Sequence, residues 1–315
     1  MLNRRHLRIK VLQALYAYFQ ADRGSVTTAQ KGLFTSVDRI WYLYITFLTF
    51  FDTLLREAER QMEEGKLKKL PSESDLLPNL VFLEDPVIRR LADSERIQKE
   101  AEKQGVDLAN LKEMAKKTFG KVVESERYQE FISDKEPSFE KSRSYVAKMF
   151  KDHVANSETM LGYLEDHNVY WVDDIDLVCG AVIKTVKKMD ESSADVNLLP
   201  FYKDKKDDKK FVSELFTKTI DLEQENEKLI DEHSSNWELE RIAMMDMLLM
   251  KMAVTEVRTF SSIPIKVTLN EYIEISKFYS TPKSNTFING ILDKLFAYLK
   301  TKGMIKKVGR GLIEQ

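Results

Sequence analysis

The chain has 315 residues, 43% hydrophobic and 32% charged, with a formal net charge of -2; that suffices for one large domain or two small ones and excludes a globally basic nucleic-acid binder, though not a local basic patch. With only 11 Gly and 7 Pro beside abundant Lys, Glu and Leu, a turn-rich β protein is excluded and the fold class reads as all-α. The single cysteine, Cys179 in LVCGAVI, excludes an internal disulfide, reads as a small buried apolar residue and fits a reducing cytoplasm.

The first predicted helix runs from Leu2 to Gln20, with Leu7, Val11, Leu12, Leu15, Tyr16 and Phe19 on one stripe. Arg4, Arg5, His6, Arg8 and Lys10 crowd its first turns. A helix N-terminus is the positive end of the dipole and normally attracts carboxylates, so this cluster is either a solvated basic end or a site for an anionic partner. No secretory cleavage pattern follows. After a break at Gly24 to Gly32, a second helix is predicted over Thr35 to Glu64, its aromatics Trp41, Tyr42, Tyr44, Phe47, Phe50 and Phe51 reading as core. Its most apolar run, Ile40 to Leu55, is too short and too polar for a membrane span.

Gly65 to Pro86 reads as a connecting loop, punctuated by Pro71, Pro78 and Pro86. Helices are then predicted over Val87 to Lys103, Asp107 to Lys117, Lys121 to Ser133, Ser138 to His167 and Ile175 to Met189. Asp190 to Lys210 is a break followed by a mixed-charge run, which reads as solvated surface. A shift of 66 positions places Tyr145, Val146, Met149, Phe150, Val154, Leu164, His167 and Trp171 on Phe211, Val212, Leu215, Phe216, Ile220, Ile230, His233 and Trp237. This is either a degenerate duplication, covering about 145-190 in its first copy, or a coincidence of helical spacing.

Four more helices are predicted, over Phe211 to His233, Trp237 to Thr255, Ile265 to Tyr279 and Lys283 to Lys302. The second of these carries Met244, Met245, Met247, Met250 and Met252, is apolar nearly all round and is expected at the centre of the bundle. His6, His153, His167 and His233 have no metal-ligand spacing and no nucleophile motif beside them, and glycine is too sparse for a phosphate or dinucleotide loop. The reading is a protein that is not an enzyme and needs no metal or cofactor. Lys294, Lys300, Lys302, Lys306, Lys307 and Arg310 make the C-terminal end basic, so two basic ends can form one phosphate-binding patch. Phe287, with Tyr16 beside it as a weaker choice, is either a stacking platform for unpaired bases or, for Phe287, a core aromatic facing Ile291.

Three stretches resemble the NusB family of transcription antitermination factors. RRHLR and VLQALY, from Arg4 to Tyr16, are similar to its arginine-rich first helix, and ELERIAMMDMLLMKMAVTEV is similar to its central helix. The pattern P-x-K-V-x-x-N-E-x-x-E-x-x-K followed by S-x-x-F-[VI]-N-G-[VI]-L-D-K is carried by Pro264, Lys266, Val267, Asn270, Glu271, Glu274 and Lys277, then Ser284, Phe287, Ile288, Asn289, Gly290, Ile291, Leu292, Asp293 and Lys294. The resemblance covers residues 4-20 and about 211-303.

It implies an all-helical domain that binds boxA-type RNA together with the ribosomal protein NusE and helps RNA polymerase read through terminators, notably in ribosomal RNA operons. It implies that Arg4, Arg5, Arg8 and Phe287 lie on the RNA side, and the basic cluster and stacking candidates add His6, Lys10, Tyr16 and Lys283 to the expected RNA-binding set; His6 stands where an arginine is common and Lys283 where an acidic residue often occurs. Val267, Ile273, Ile291 and Leu292 are left as core. A homodimer is a further option, and no membrane association is expected. Because the family is typically less than half this length, the chain reads as a basic first helix (1-24), a helical expansion (25-205), a NusB-like C-terminal bundle (206-303) and a basic tail (304-315). A scaffold that keeps the fold and has lost boxA specificity is the alternative. Fusion to a methyltransferase is disfavoured, since no α/β cofactor domain is legible.

Overall fold

The computed structural model describes residues 1–21, 23–134, 136–171, 173–234 and 242–312. Short polar side chains set most of the helix starts. Asn3, Ser72, Asp85, Ser94, Asp107, Ser125, Ser138, Ser157 and Asp204 each accept a hydrogen bond from a free backbone N–H of the first turn that follows. The helices are α1 (Arg4–Gln20), α2 (Val26–Lys66), α3 (Glu73–Leu76), α4 (Pro86–Ala92), α5 (Glu95–Gln104), α6 (Leu108–Val123), α7 (Glu126–Ile132) and α8 (Phe139–Met149). A π-helical segment, Phe150–Ala155, extends α8. Then come α9 (Glu158–His167), α10 (Ile175–Lys187), α11 (Lys205–Asp221), α12 (Glu223–His233), α13 (Met244–Thr259), α14 (Ile265–Tyr279) and α15 (Ser284–Thr301). There is no strand among the described residues, and the fold is all-α.

Three predicted helices are each two. Val87 to Lys103 breaks where the Ser94 hydroxyl accepts from the Ile97 N–H, and Ser138 to His167 breaks where Ser157 accepts from the Met160 N–H. Serine competes with the helix backbone for its own hydrogen bonds, so it starts a helix more readily than it continues one. Phe211 to His233 breaks at Leu222. In the other direction, α2 begins at Val26 and runs through Gly32, because Leu33 and Val37 are buried and offset the roughly 1 kcal/mol that an interior glycine costs. Helix α11 begins inside the predicted mixed-charge break, where the Asp204 carboxylate accepts from the N–H groups of Lys206 and Asp207. The predicted helix start at Trp237 lies outside the described residues.

The chain divides into two compact units, Met1–Val37 with Tyr202–Gln315, and Asp38–Phe201. In the first, α13 is central as expected: every residue from Leu248 to Val257 is buried, and the helix packs on α1, α11, α12, α14 and α15. Around it lie Leu7, Val11, Leu12 and Leu15 of α1, Phe211, Leu215 and Phe216 of α11, Ile275 of α14 and Ile288, Leu292 and Leu295 of α15. Burying each such side chain contributes about 1.5–3 kcal/mol.

In the second unit, Tyr44, Phe47, Phe50 and Phe51 of α2 are buried as core, and Phe150 packs at 5.5 Å from Phe47 and 5.8 Å from Phe51. The Tyr44 hydroxyl bonds Thr185 at 2.6 Å and accepts from the Leu199 N–H at 3.2 Å. Cys179 is buried, which pushes its thiol up to about 12. Among the described residues no helix is long and apolar enough to cross a membrane.

The 66-residue comparison has a counterpart in the helices. Ser138 falls on Asp204, both N-caps, so that α8 and α11 start at equivalent positions. Tyr145, Val146, Met149, Phe150 and Leu164 are buried, and so are Phe211, Val212, Leu215, Phe216 and Ile230. Val154 is buried while Ile220 is half-buried; a duplicated segment and a coincidence of helical spacing would both leave this pattern, and Trp237, which the comparison also used, is outside the described residues.

Candidate nucleic-acid interface

The basic cluster begins a helix with no acidic residue in its first turn. Instead of an external anion or bulk water alone, carboxylates from three other helices meet it. Arg4 pairs with Asp207 and, at 3.1 Å, with Asp208 of α11, and its guanidinium lies 4.2 Å from the centre of the Phe211 ring. Arg5 is bidentate to Glu271 of α14 at 3.0 and 2.8 Å. Arg8 is bidentate to Glu256 of α13 at 2.7 and 2.6 Å, and the same carboxylate accepts from Thr268 at 2.8 Å and Tyr272 at 3.1 Å. Both Arg8 and Glu256 are buried, at 2% and 0% exposure, so this pair is an internal anchor. Hydrogen bonding to Glu271 raises Arg5 above the usual arginine range; for Arg8, desolvation lowers its proton affinity, but the charge of Glu256 and the hydrogen bond to it, with the nearby Tyr272 and Glu271, together outweigh that and raise it.

The structure therefore divides the expected RNA-binding residues. Arg8 and Lys10 are buried, and neither offers a phosphate a surface contact. Arg4, Arg5 and His6 are half-exposed. His6 accepts from the Asn3 N–H through Nδ1 at 3.3 Å, completing a capping box; burial, then the charge of Arg5, lowers its proton affinity below the usual histidine value. Tyr16 is exposed on α1.

Arg4, Arg5 and Arg8 line a cleft of about 970 Å³, together with Phe211, the turn Thr259–Pro264, the first turns of α14 and Arg310. Residues 307–311 are strapped against that turn. Lys307 donates to the Phe260 carbonyl at 2.9 Å and the Val308 N–H to the Ser261 carbonyl at 3.1 Å. Any Cβ at Gly311 would collide with that Ser261 carbonyl, so only glycine fits. Burial pulls Lys307 down to about 8.

Phe287 and Lys283 are not in this cleft. They line a second one, of about 760 Å³, with His233, Asp246, Ser284, Thr286 and Lys294 among its walls. Phe287 is half-buried and Lys283 exposed, while Ile288 and Ile291 of the same helix face the core. Asp246 accepts from the Ser280 hydroxyl.

Helices α1 and α14 lie side by side and run the same way, since Arg5 meets Glu271 and Gln13 meets Tyr279 at 3.2 Å. The first cleft takes in the start of α14 and the second the loop after its end, about 20 Å apart at 1.5 Å per residue. The buried positions of α14 are Thr268, Tyr272, Ile275 and Ser276. Val267, expected in the core, is 43% exposed, and Ile273 is half-buried. The buried stripe runs along Thr268, Tyr272, Ile275 and Ser276, not along Val267 and Ile273, which leaves Phe278, 79% exposed, outside it together with the exposed Lys266, Asn270 and Lys277. Sequence reasoning did not single out Phe278, which phasing α14 on Thr268 and Tyr272 would have exposed; Arg310, in the first cleft, belongs to the basic C-terminal end expected to meet phosphate.

Residues 182–296 match the model of the NusB family, which is not an enzyme family. Similar relatives, each named transcription antitermination protein NusB, come from three bacteria. That of Salinibacter ruber is 45% identical over 103 residues, 33% of this chain and 64% of the relative. That of Chloroherpeton thalassium is 42% identical over 106 residues, 34% of this chain and 50% of the relative. That of Desulfatibacillum aliphaticivorans is 39% identical over 94 residues, 30% of this chain and 66% of the relative. The chain thus spans between half and two thirds of the length of these curated relatives. No solved structure matches it.

Proposed function

We propose that this chain, which carries a NusB-family domain over residues 182–296, is a transcription antitermination factor that acts by assembly and not by catalysis. It binds boxA-type single-stranded RNA with ribosomal protein NusE and joins the RNA polymerase antitermination complex, promoting transcription of ribosomal RNA in the cytoplasm. The observation that carries this reading is the cleft beside α15, where Phe287 of the NusB-like motif stands with Lys283 and Lys294. An aromatic wall flanked by cations suits an unpaired base and its phosphates. Arg4 and Arg5, half-exposed at the start of α1, add positive charge at the other end of α14. His6 and Tyr16 are further contacts on α1.

The test is a titration of the purified protein with a boxA-type RNA, with and without NusE. Binding is expected to weaken steeply with salt, to tighten when NusE is present, and to fall with Phe287→Ala or Lys283→Glu, both on side chains outside the core. Salt-insensitive binding indifferent to both changes would sink the reading. A second reading, a helical scaffold without boxA specificity, draws on the pairing of Arg4, Arg5 and Arg8 with internal carboxylates. It predicts equal, weak affinity for boxA and scrambled RNA in the same titration.

A further inference from the structure

Between the two clefts runs the outer face of α14, carrying Phe278 at 79% exposure. An apolar ring so far into water on a regular helix has no packing role, and its neighbours decide what it suits. The carboxylates on this face and in both clefts are engaged. Glu271 is held by Arg5 and Arg8, Glu274 by Lys277, Asp207 by Arg4, Glu214 by Lys210 at 3.8 Å, and Asp246 by Ser280. The charged groups left without a partner among the described lining residues are the cations Lys266, Arg310, Lys283 and Lys294. They stand at the two ends of the helix, with the exposed ring near the second end.

We infer that the outer face of α14 is a track for single-stranded RNA, with Phe278 stacking a base between phosphates held by Lys266 and Arg310 at one end and by Lys283 at the other. A backbone that must be neutralised at intervals and bases that need a π-face ask for this combination of free cations and an exposed aromatic. An acidic protein helix would use the cations but would leave the isolated ring without a pocket to fill. The inference rests on the RNA-binding reading above and extends it from Lys283 to Phe278, Lys266 and Arg310, which that reading does not use.

The experiment measures affinity of the full chain for a boxA-type RNA by fluorescence anisotropy over a salt series, for the wild type, Phe278→Ala, Phe278→Trp, Lys266→Ala/Arg310→Ala and Phe287→Ala. Phe278→Ala is expected to weaken binding roughly 5- to 150-fold, the range for losing one stacked base, and Phe278→Trp to retain it. The double lysine–arginine variant should reduce the log–log salt slope by about 1.4, two phosphate contacts' worth on a single strand. If Phe287→Ala weakens binding while Phe278→Ala and the double variant bind as the wild type does, the track is wrong and the RNA-binding reading stands. A wild type that does not bind RNA overturns both. Loss of NusE binding by Phe278→Ala with RNA affinity unchanged would also overturn the track, making this face a protein-docking surface.

Discussion

Arg8 converts a helix start that is unfavourable on its own into an anchor for the first unit. Its guanidinium is out of water and meets a carboxylate that also accepts from Thr268 and Tyr272. Deleting one partner leaves an uncompensated buried charge, so Arg8→Ala or Glu256→Gln is expected to cost about 3–5 kcal/mol in urea unfolding. Replacing both, as Arg8→Met/Glu256→Leu, is expected to recover most of that loss, which distinguishes a stranded charge from a lost contact. His6 gives the pH dependence. Its affinity for a proton is lower in the folded chain than in the unfolded one, so the unfolded state takes up the proton first as pH falls through about 6.5 and stability declines below that point. A bound phosphate favours the charged ring, so RNA affinity should rise between pH 7.5 and 5.5 for the wild type and stay level for His6→Asn; a level wild-type profile would remove His6 from the interface. The basic cluster itself was legible in the sequence. Its partners were not, because Arg8 and Glu256 are 248 positions apart and local spacing carries no information about such a pairing.

At the scale of elements, apolar periodicity located the helices well and their interruptions poorly. Helix α14 spans Ile265–Tyr279 as expected, yet its buried face is Thr268, Tyr272, Ile275 and Ser276, so that Val267 and Phe278 face water. Apolar residues on several sides of this helix leave its buried face open to more than one reading of the sequence, and on the face that is buried Thr268 and Tyr272 bond to Glu256. Polar side chains decide the packing of α12 on α13 as well. Asn226, fully buried, donates to Thr255 at 2.8 Å and to the Lys251 carbonyl at 3.4 Å and accepts from Arg258 at 3.1 Å. Asn226→Ala would strand these groups and is expected to cost about 1–3 kcal/mol, read as a lower thermal midpoint. If the loss is instead a few tenths of a kcal/mol, packing around Leu229 and Ile230 holds the pair without it.

For the whole molecule, the residues proposed to meet RNA all belong to the unit formed by 1–37 and 202–315. The unit of 38–201 has its own aromatic core, in which Phe150 is fully buried against Phe47 and Phe51. Two compact units need not unfold together, and a chain that contains two of them can depart from all-or-none behaviour. Calorimetry is therefore expected to resolve two transitions, with a measured enthalpy above the van't Hoff value of either. Phe150→Ala removes a large side chain from one core at a cost of about 3–5 kcal/mol. It should lower one transition only and leave affinity for boxA-type RNA at 25 °C where it was. A single transition shifted as a whole, with RNA affinity reduced in step, would mean that residues 38–201 stabilise the RNA-binding unit directly; the expansion would then serve the fold of that unit and not a separate task.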